Sequence, residues 1–327
     1  MRAREKQQGF IIVAVLWMIA ALAVLAAIYT RFALTTAVAS SVHEDRLRAE
    51  GLTSAAVELT AYQLTAAQFV GRASTANPAP AVSIATNSAE PAPRPPVQSA
   101  SPQMPTRGAF SFRLGGAGVT AEYQSEAGRI DLNLAPKELI AGLFRTLGAE
   151  PEDANYYADR IIGWRQKGQA SGEDQEATAY RVAGIAYKPR QGPFENAAEL
   201  WLVLGIPPVF RERALPFLTV YSGRSDVDAE NAAPEVVASL PNMSPERLGN
   251  VLQQRASPPQ PGQSQPNPQA AAQGLTAGAS PQSFRINIRM ALENGRRVAA
   301  EVVILVPEDG DEPYRVLSWR DDFDGAT

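Results

Sequence analysis

The stretch that decides the fold is QQGFIIVAVLWMIA, residues 7–20, because it opens an apolar run that carries no charge as far as Thr30. From Phe10 to Tyr29 the run is about 20 residues, enough to span the ~30 Å hydrocarbon core of a membrane as a helix. No small-residue cleavage site of the ordinary secretory kind stands out after it. We therefore predict a retained transmembrane helix over residues 10–30, preceded by a basic leader over residues 1–9 that holds Arg2, Arg4 and Lys6.

The charge distribution and the composition limit the location and the chemistry. Basic residues in front of the span favour a cytoplasmic N-terminus, which places the other roughly 300 residues outside the inner membrane, in the periplasm of a bacterium. The chain has no cysteine and a single histidine, His43, and it has no GxSxG sequence to support a catalytic triad, so we predict that it is not an enzyme. A net charge of −4 lacks the basic footprint of a nucleic-acid binder.

Past the anchor, apolar residues recur at spacings of three to five from Leu47 to Phe69, with charged residues between them. This pattern predicts that the same helix continues as an amphipathic helix over residues 31–73. A break between Thr30 and Ser41 is the alternative, since β-branched and small residues gather there.

Two segments rich in Pro, Ala, Ser and Gln, residues 74–108 and 256–282, are predicted to be linkers because they have no apolar periodicity. Residues 109–132 hold two alternating runs that predict a β-hairpin around a Gly-rich turn. Residues 283–327 predict a three-stranded meander turning at Asn294-Gly295 and Asp309-Gly310. We expect these five strands to form one sheet.

The middle of the chain, residues 133–255, is predicted to be an inserted helical domain made of two related units. NLAPKELIAGLF begins at Asn133 and NAAPEVVASL begins at Asn231, and in each the Asn is read as a helix cap ahead of a Pro. A short β-like piece with an acid precedes each one, at 130–131 and 227–228. The fold class is α+β: a long N-terminal helix packed on a small antiparallel sheet, with a large all-α insertion similar to SAM and helix-hairpin-helix units.

The turn Gly205-Ile206-Pro207-Pro208 resembles that of a helix-hairpin-helix, in which backbone N–H groups bind a DNA phosphate. Its two prolines lack the N–H that such a turn donates. We therefore favour a structural hairpin whose apolar side chains pack in the core: Leu200, Leu202, Leu204 and Phe210.

An acidic loop provides the one candidate metal site. Glu173, Asp174 and Glu176 bring carboxylates together beside Gly172, which could gather oxygen ligands around Ca²⁺, although the spacing is not that of an EF-hand. Solvated acids in a surface loop are the simpler interpretation.

The N-terminal region resembles the class III leader of type IV pilins and pseudopilins, in which a short basic leader ends in Gly before an apolar helix. The resemblance implies that prepilin peptidase cuts between Gly9 and Phe10, that Phe10 is then N-methylated, and that the anchor is retained. Most of that family has Glu at the fifth mature position, which here is Ala14.

The missing Glu, together with GRIDLNLAPKELI, ADRIIGWRQ, PFENAAELWLVLGI and DVDAENAAPEVVASL, resembles the minor pseudopilin K family, GspK, of the type II secretion system. The resemblance implies a non-enzymatic role. Such a protein joins minor pseudopilins I and J in a complex that caps the periplasmic pseudopilus, alongside the major pseudopilin, and some members bind Ca²⁺. A minor pilin of a type IV pilus and an anchored DNA-uptake receptor are the alternatives.

Overall fold

The structure is a computed structural model that describes residues 6–76, 105–167, 175–256, 282–307 and 312–323. It is an α+β fold in which an N-terminal helix packs on one face of a five-stranded antiparallel sheet. Several helices form a separate body, which lies in the sequence between the second and third strands of that sheet. Most of both Pro-rich segments, and the predicted turn at Asp309-Gly310, lie outside the described residues.

Helix α1 runs from Lys6 to Ala76 without a break, over 71 residues. The two-helix alternative is not seen. The hydroxyls of Thr30 and Thr36 donate to the carbonyls of Ala26 and Phe32, four residues back, so they bond within the helix instead of competing with its backbone ladder. The residues of α1 that are buried recur every three or four positions and form one stripe against the sheet: Ala49, Leu52, Thr53, Ala56, Val57, Thr60, Ala61 and Leu64.

The sheet has the strand order β1-β2-β5-β6-β7. Its strands are β1 (Arg107–Leu114), β2 (Ala117–Ser125), β5 (Gln282–Ala291), β6 (Arg297–Val306) and β7 (Arg315–Asp322). The predicted single sheet of five strands is confirmed. The β1–β2 turn uses Gly115 and Gly116 at φ 56° and 79°, and the β5–β6 turn uses Gly295 at φ 82°, values that glycine adopts without strain.

The body between β2 and β5 contains two short strands that pair in parallel, β3 (Ile130–Asp131) and β4 (Leu218–Thr219). Its helices are α2 (Lys137–Thr146), α3 (Pro151–Arg165), α4 (Gln175–Val182), α5 (Pro208–Ala214), α6 (Pro234–Ala238) and α7 (Pro245–Ala256). Short 3₁₀ turns cover Glu126–Gly128, Ala197–Leu202 and Leu215–Phe217.

This helical body has its own apolar core, distinct from the core under α1. Phe144 and Tyr157 make an edge contact at 5.3 Å between ring centroids, and Trp164 lies beside Tyr180 and Phe194. The Tyr180 hydroxyl donates to the carbonyl of Leu202 and accepts from the N–H of Leu204, 2.7 Å away. The two cores are therefore closed separately.

The two helix starts do share a local structure, but its capping residue is not the predicted one. The N-caps of α2 and α6 are Pro136 and Ala233, and neither has a side chain that caps. The Asn133 side chain instead exchanges hydrogen bonds with the backbone of Phe194. The prediction of Asn caps was wrong because α2 starts after Pro136 and α6 starts after Ala233, so each Asn lies two or three residues too early to cap its helix.

Each helix start is organised by its own aspartate. Asp131 accepts the N–H of residue 133 and Asp228 that of residue 230, and each Asp carbonyl accepts the N–H four residues on, at 2.9 Å in both units. The β-like interpretation holds at 130–131 but was wrong at 227–228, since β3 pairs with β4 and the Asp228 N–H bonds to the carbonyl of Ala127.

Candidate functional site

The N-terminal part of α1 is an exposed apolar helix. Residues Ile12–Ala33, 22 in number, form the one helix in the described part of the chain that is long and apolar enough to cross a membrane, and none of it is buried. At 1.5 Å per residue it spans ~33 Å, close to the thickness of the hydrocarbon core. Trp17 is 75% exposed, which costs free energy in water and is favourable in lipid.

The predicted processing residues lie just before this span. Gly9 and Phe10 belong to α1, and Ala14 lies within its first exposed turns. Because alanine stands where most of the family has glutamate, the apolar span Ile12–Ala33 contains no acidic residue. Cleavage, N-methylation and the consequence of the missing Glu stay predictions.

The acidic loop is only partly described. Glu173 and Asp174 lie outside the described residues, whereas Glu176 is in the first turn of α4 and binds Arg160, whose Nε donates to its Oε1 at 3.2 Å. The second oxygen of Glu176 contacts Nη2 of the same arginine. A Ca²⁺ ion would have to displace this guanidinium, so Glu176 does not fit as a ready ligand. Within the described ranges no cluster of three acidic or histidine side chains has metal-site geometry, and the calcium site stays a prediction.

The turn that resembles a helix-hairpin-helix is bound from within the chain. Gly205 has φ 84°, and the Tyr156 side chain lies directly against it. Arg211, on α5, donates to the carbonyls of Trp201 and Val203 at 3.0 and 2.9 Å. Leu200 is buried as expected, but Leu202 is 42% exposed, so its predicted place in the core was wrong because the 3₁₀ turn rotates it outward.

A buried ionic cluster joins the helical body to the sheet. Glu126, immediately after β2, has a side chain that is 1% exposed and receives Nε and Nη2 of Arg285 at 2.7 and 3.1 Å. The Thr219 hydroxyl on β4 donates to the same carboxylate. Arg285 also reaches Glu301 on β6 at 2.6 Å, and Arg129 lies 3.6 Å from Glu126. We call these five residues the junction cluster.

The electrostatics of the junction cluster follow from this geometry. The two carboxylates beside Arg285 raise the pKa of its guanidinium above the ordinary value, against the opposing effect of burial. Burial lowers the pKa of Arg129, although Glu126 acts in the other direction. Because Glu126 and Arg285 form a two-pronged, charge-assisted pair, the cluster fixes an orientation as well as a contact. Sequence reasoning missed this cluster.

A second polar contact holds the entry to the first helical unit. Asp131 is almost fully buried, and it accepts the Ser222 hydroxyl and the Gly223 N–H, both at 3.1 Å, besides the N–H of Asn133. Burial raises the pKa of the Asp131 carboxyl above its ordinary range, while these three donors oppose the shift. The group therefore orders the segment after β4.

Comparison with known proteins identifies the region that these clusters organise. Residues 124–223 match a family model described as type II secretion system (T2SS), protein K. A search of curated proteins finds no significant match. Among solved structures, the chain is similar to one in the crystal structure of the GspK-GspI-GspJ complex from the enterotoxigenic Escherichia coli type 2 secretion system. The identity is 13% and the TM-score 0.47, over 66% of this chain and 83% of that chain.

Proposed function

We propose that this chain, whose residues 124–223 match the family model of type II secretion system protein K, is a minor pseudopilin that assembles with minor pseudopilins I and J at the tip of a periplasmic pseudopilus. The observation that carries the proposal is the match over residues 124–223, which begins at the end of β2 and covers the helical body as far as the segment after β4, ahead of α6 and α7. The exposed apolar span Ile12–Ala33 supplies the inner-membrane anchor. In this role the protein contributes structure and not catalysis.

The topology and processing form part of the same proposal. The basic residues before the span favour a cytoplasmic N-terminus, with the sheet and the helical body in the periplasm. Prepilin peptidase would remove residues 1–9 and leave Phe10 as the N-methylated first residue. Intact-mass measurement of the membrane-extracted protein tests this, because an uncut chain beginning at Met1 would contradict the assignment.

The position at the tip is supported by Ala14. In the pilin family, the Glu at this place is thought to pair with the N-terminal ammonium of a neighbouring subunit, because an unpaired charge in lipid is costly. A subunit with Ala there offers no such partner, so it should not repeat along a fibre. We infer about one copy per assembly.

The finer description of the helical body is also a proposal. We infer that it is built on the plan of SAM and helix-hairpin-helix units, used for packing and not for nucleic acid. Pro207 and Pro208 have no N–H to give a phosphate, and Nη1 and Nη2 of Arg211 donate to backbone carbonyls within the chain. The net charge of −4 points the same way.

Co-expression tests the function against its alternatives. The full chain, extracted in a mild detergent, should co-purify with minor pseudopilins I and J in equal amounts. Association with minor pilins of a type IV pilus in place of I and J would favour the pilin alternative. Salt-sensitive binding to duplex DNA without either pair would favour a DNA-uptake receptor. Homopolymeric fibres of this chain alone would rule out the capping role.

A further inference from the structure

The sheet has an open face, opposite α1, on which the strand register places side chains in rows. One row consists of Arg113, Gly118, Ala291 and Arg297, and the next of Ser111, Thr120, Arg289, Ala299 and Asp322. Directly paired residues of antiparallel strands point to the same side, so each row forms a line across the sheet. The far end of this face is closed at Arg285 and Val303, which are buried, while these two rows remain open.

The two open rows form a trough with a volume of about 850 Å³. Its floor is made of small residues, Gly118, Ala291 and Ala299, and its walls include the longer side chains of Arg113, Arg289 and Arg297. Because small residues alternate with long ones, the backbone of the sheet is accessible between arginines. We call this surface the arginine trough.

The arginine trough is positively charged on a protein whose net charge is −4. Arg289 pairs with the exposed Glu122 at 2.9 Å. Arg113 and Arg297 have no carboxylate within ion-pair distance among the described residues. Asp322 is the one acid among the lining residues, and Glu122 beside the trough pairs with Arg289, so three positive charges meet two negative ones and the surplus lies at Arg113 and Arg297. A concave surface with a surplus of one sign concentrates groups of the opposite sign.

The position of the trough relative to the anchor distinguishes protein carboxylates from lipid phosphates. The turn between β5 and β6 lies against α1, where Arg48 contacts Glu293 at 3.2 Å and Asn294 donates to Asp45 at 2.8 Å. Asp45 comes 12 residues after Ala33, the end of the span. That is ~18 Å along a helix, beyond a headgroup layer of ~5–8 Å and about a further Debye length.

We propose that the arginine trough is a docking surface for a carboxylate-rich segment of a partner protein. Arg113 and Arg297 are separated by three strand spacings, ~14 Å, which admits one helix of ~10 Å diameter or one extended chain. Carboxylates on both sides of that segment then meet guanidinium groups, the pairing that arginine makes with two parallel hydrogen bonds. The inference does not rest on which secretion or pilus machine the protein joins.

The absence of cysteine from the sequence permits a direct test. In the full chain, solubilised in an uncharged detergent, Ser111→Cys places one thiol in the trough, and Asn250→Cys places one on an exposed part of α7 as a matched control. The rate of maleimide alkylation is measured with and without a peptide of ten glutamates. At about four times its dissociation constant the peptide should slow the S111C reaction roughly fivefold and leave N250C unchanged.

Charge reversal then assigns the effect to the arginines. R113E/R297E should abolish protection of the S111C thiol, whereas R145E/R247E, with the same change of charge on exposed helical positions, should preserve it. If the reversed protein does not fold, R113Q/R297Q and wild-type protection in high salt answer the same question. Equal protection of N250C, or protection that survives loss of both arginines, would overturn the proposal.

Two further probes separate the possible sources of negative charge. Inorganic phosphate, added at a concentration that supplies the same total negative charge as the peptide, should not protect the S111C thiol. Vesicles of phosphatidylcholine with phosphatidylglycerol should protect the reconstituted chain no more than vesicles of phosphatidylcholine alone. Protection by phosphate equal to that by the peptide would mean a small-anion site, and protection by the anionic vesicles would mean a lipid surface. Either result would replace the docking of a protein segment.

Discussion

The junction cluster should contribute more to stability than any ion pair on the surface of the sheet. Glu126→Gln keeps the shape of the side chain but removes the charge that Arg285 contacts through two nitrogens. The Arg285 side chain is 11% exposed, so water cannot replace the lost carboxylate. Leaving a buried charge without its partner typically costs about 3–5 kcal/mol, and the remaining pair with Glu301 places this change near the lower figure.

The same sheet offers a matched control. Arg289 on β5 and Glu122 on β2 form an ion pair with a nitrogen–oxygen distance of 2.9 Å, but their side chains are 69% and 48% exposed. Glu122→Gln should therefore change the free energy of unfolding by less than about 1 kcal/mol. Both variants remove the carboxylate of an Arg–Glu pair, and the pairs differ in burial and in the second nitrogen that Arg285 brings to Glu126.

The assay is urea-induced unfolding of the detergent-solubilised full chain, followed by tryptophan fluorescence. E126Q should lower the urea midpoint clearly and E122Q should not. Arg285→Met, made in the E126Q protein, should restore part of the loss, because it removes the buried charge that was left unpaired. Equal midpoints for E126Q and E122Q would refute the reasoning that burial of this pair gives it its energetic weight.

Three other predictions concern packing, ionisation and processing. Gly142→Ala should destabilise the protein by about 1–3 kcal/mol, because the added Cβ would lie 2.1 Å from the carbonyl oxygen of Ser239, whereas Gly249→Ala, with open space around it, should stabilise α7 by up to about 1 kcal/mol in the same urea assay. Burial raises the pKa of Tyr180 to about 12, so between pH 10 and 12 the folded state keeps a proton that the unfolded state has lost. The free energy of unfolding should therefore fall as pH rises through this range, and it should fall less steeply in Tyr180→Phe. At neutral pH that variant should be less stable than the wild type, because it lacks the hydroxyl's hydrogen bonds. Gly9→Leu should leave residues 1–9 attached, seen by intact mass; normal trimming would contradict the leader assignment.

The apolar helix and the sheet could be predicted from the sequence because local patterns determine them. The apolar run fixes the span, the period of three to four fixes the buried stripe of α1, and glycines at positive φ fix two turns. The register that follows places each strand residue on one face. None of these inferences needs contacts between distant parts of the chain.

The junction cluster could not be predicted in this way. Glu126 and Arg285 are 159 positions apart, and a charged residue in an alternating strand pattern indicates the solvent side. Arg285 is indeed on the face opposite α1, but the helical body covers that end of the face. The prediction of the Asn133 cap was wrong for a related reason, since the side chain of Asn133 donates to the carbonyl of Phe194, 61 residues away.

The polar character of the contact between the two bodies bears on assembly. Apolar contacts are non-directional and tolerate sliding, so an apolar interface would hold the helical body without defining its angle to α1. Here the contact consists largely of hydrogen bonds and ion pairs: Glu126 with Arg285, the Ser283 hydroxyl with the Tyr221 carbonyl, Thr106 with Asn231 and Arg320 with Asn196. Each has a preferred direction, and several together define one orientation. A helical body fixed to the sheet, and through the sheet to α1, moves with α1 as a unit, which is what a subunit presenting one defined surface to its neighbours requires.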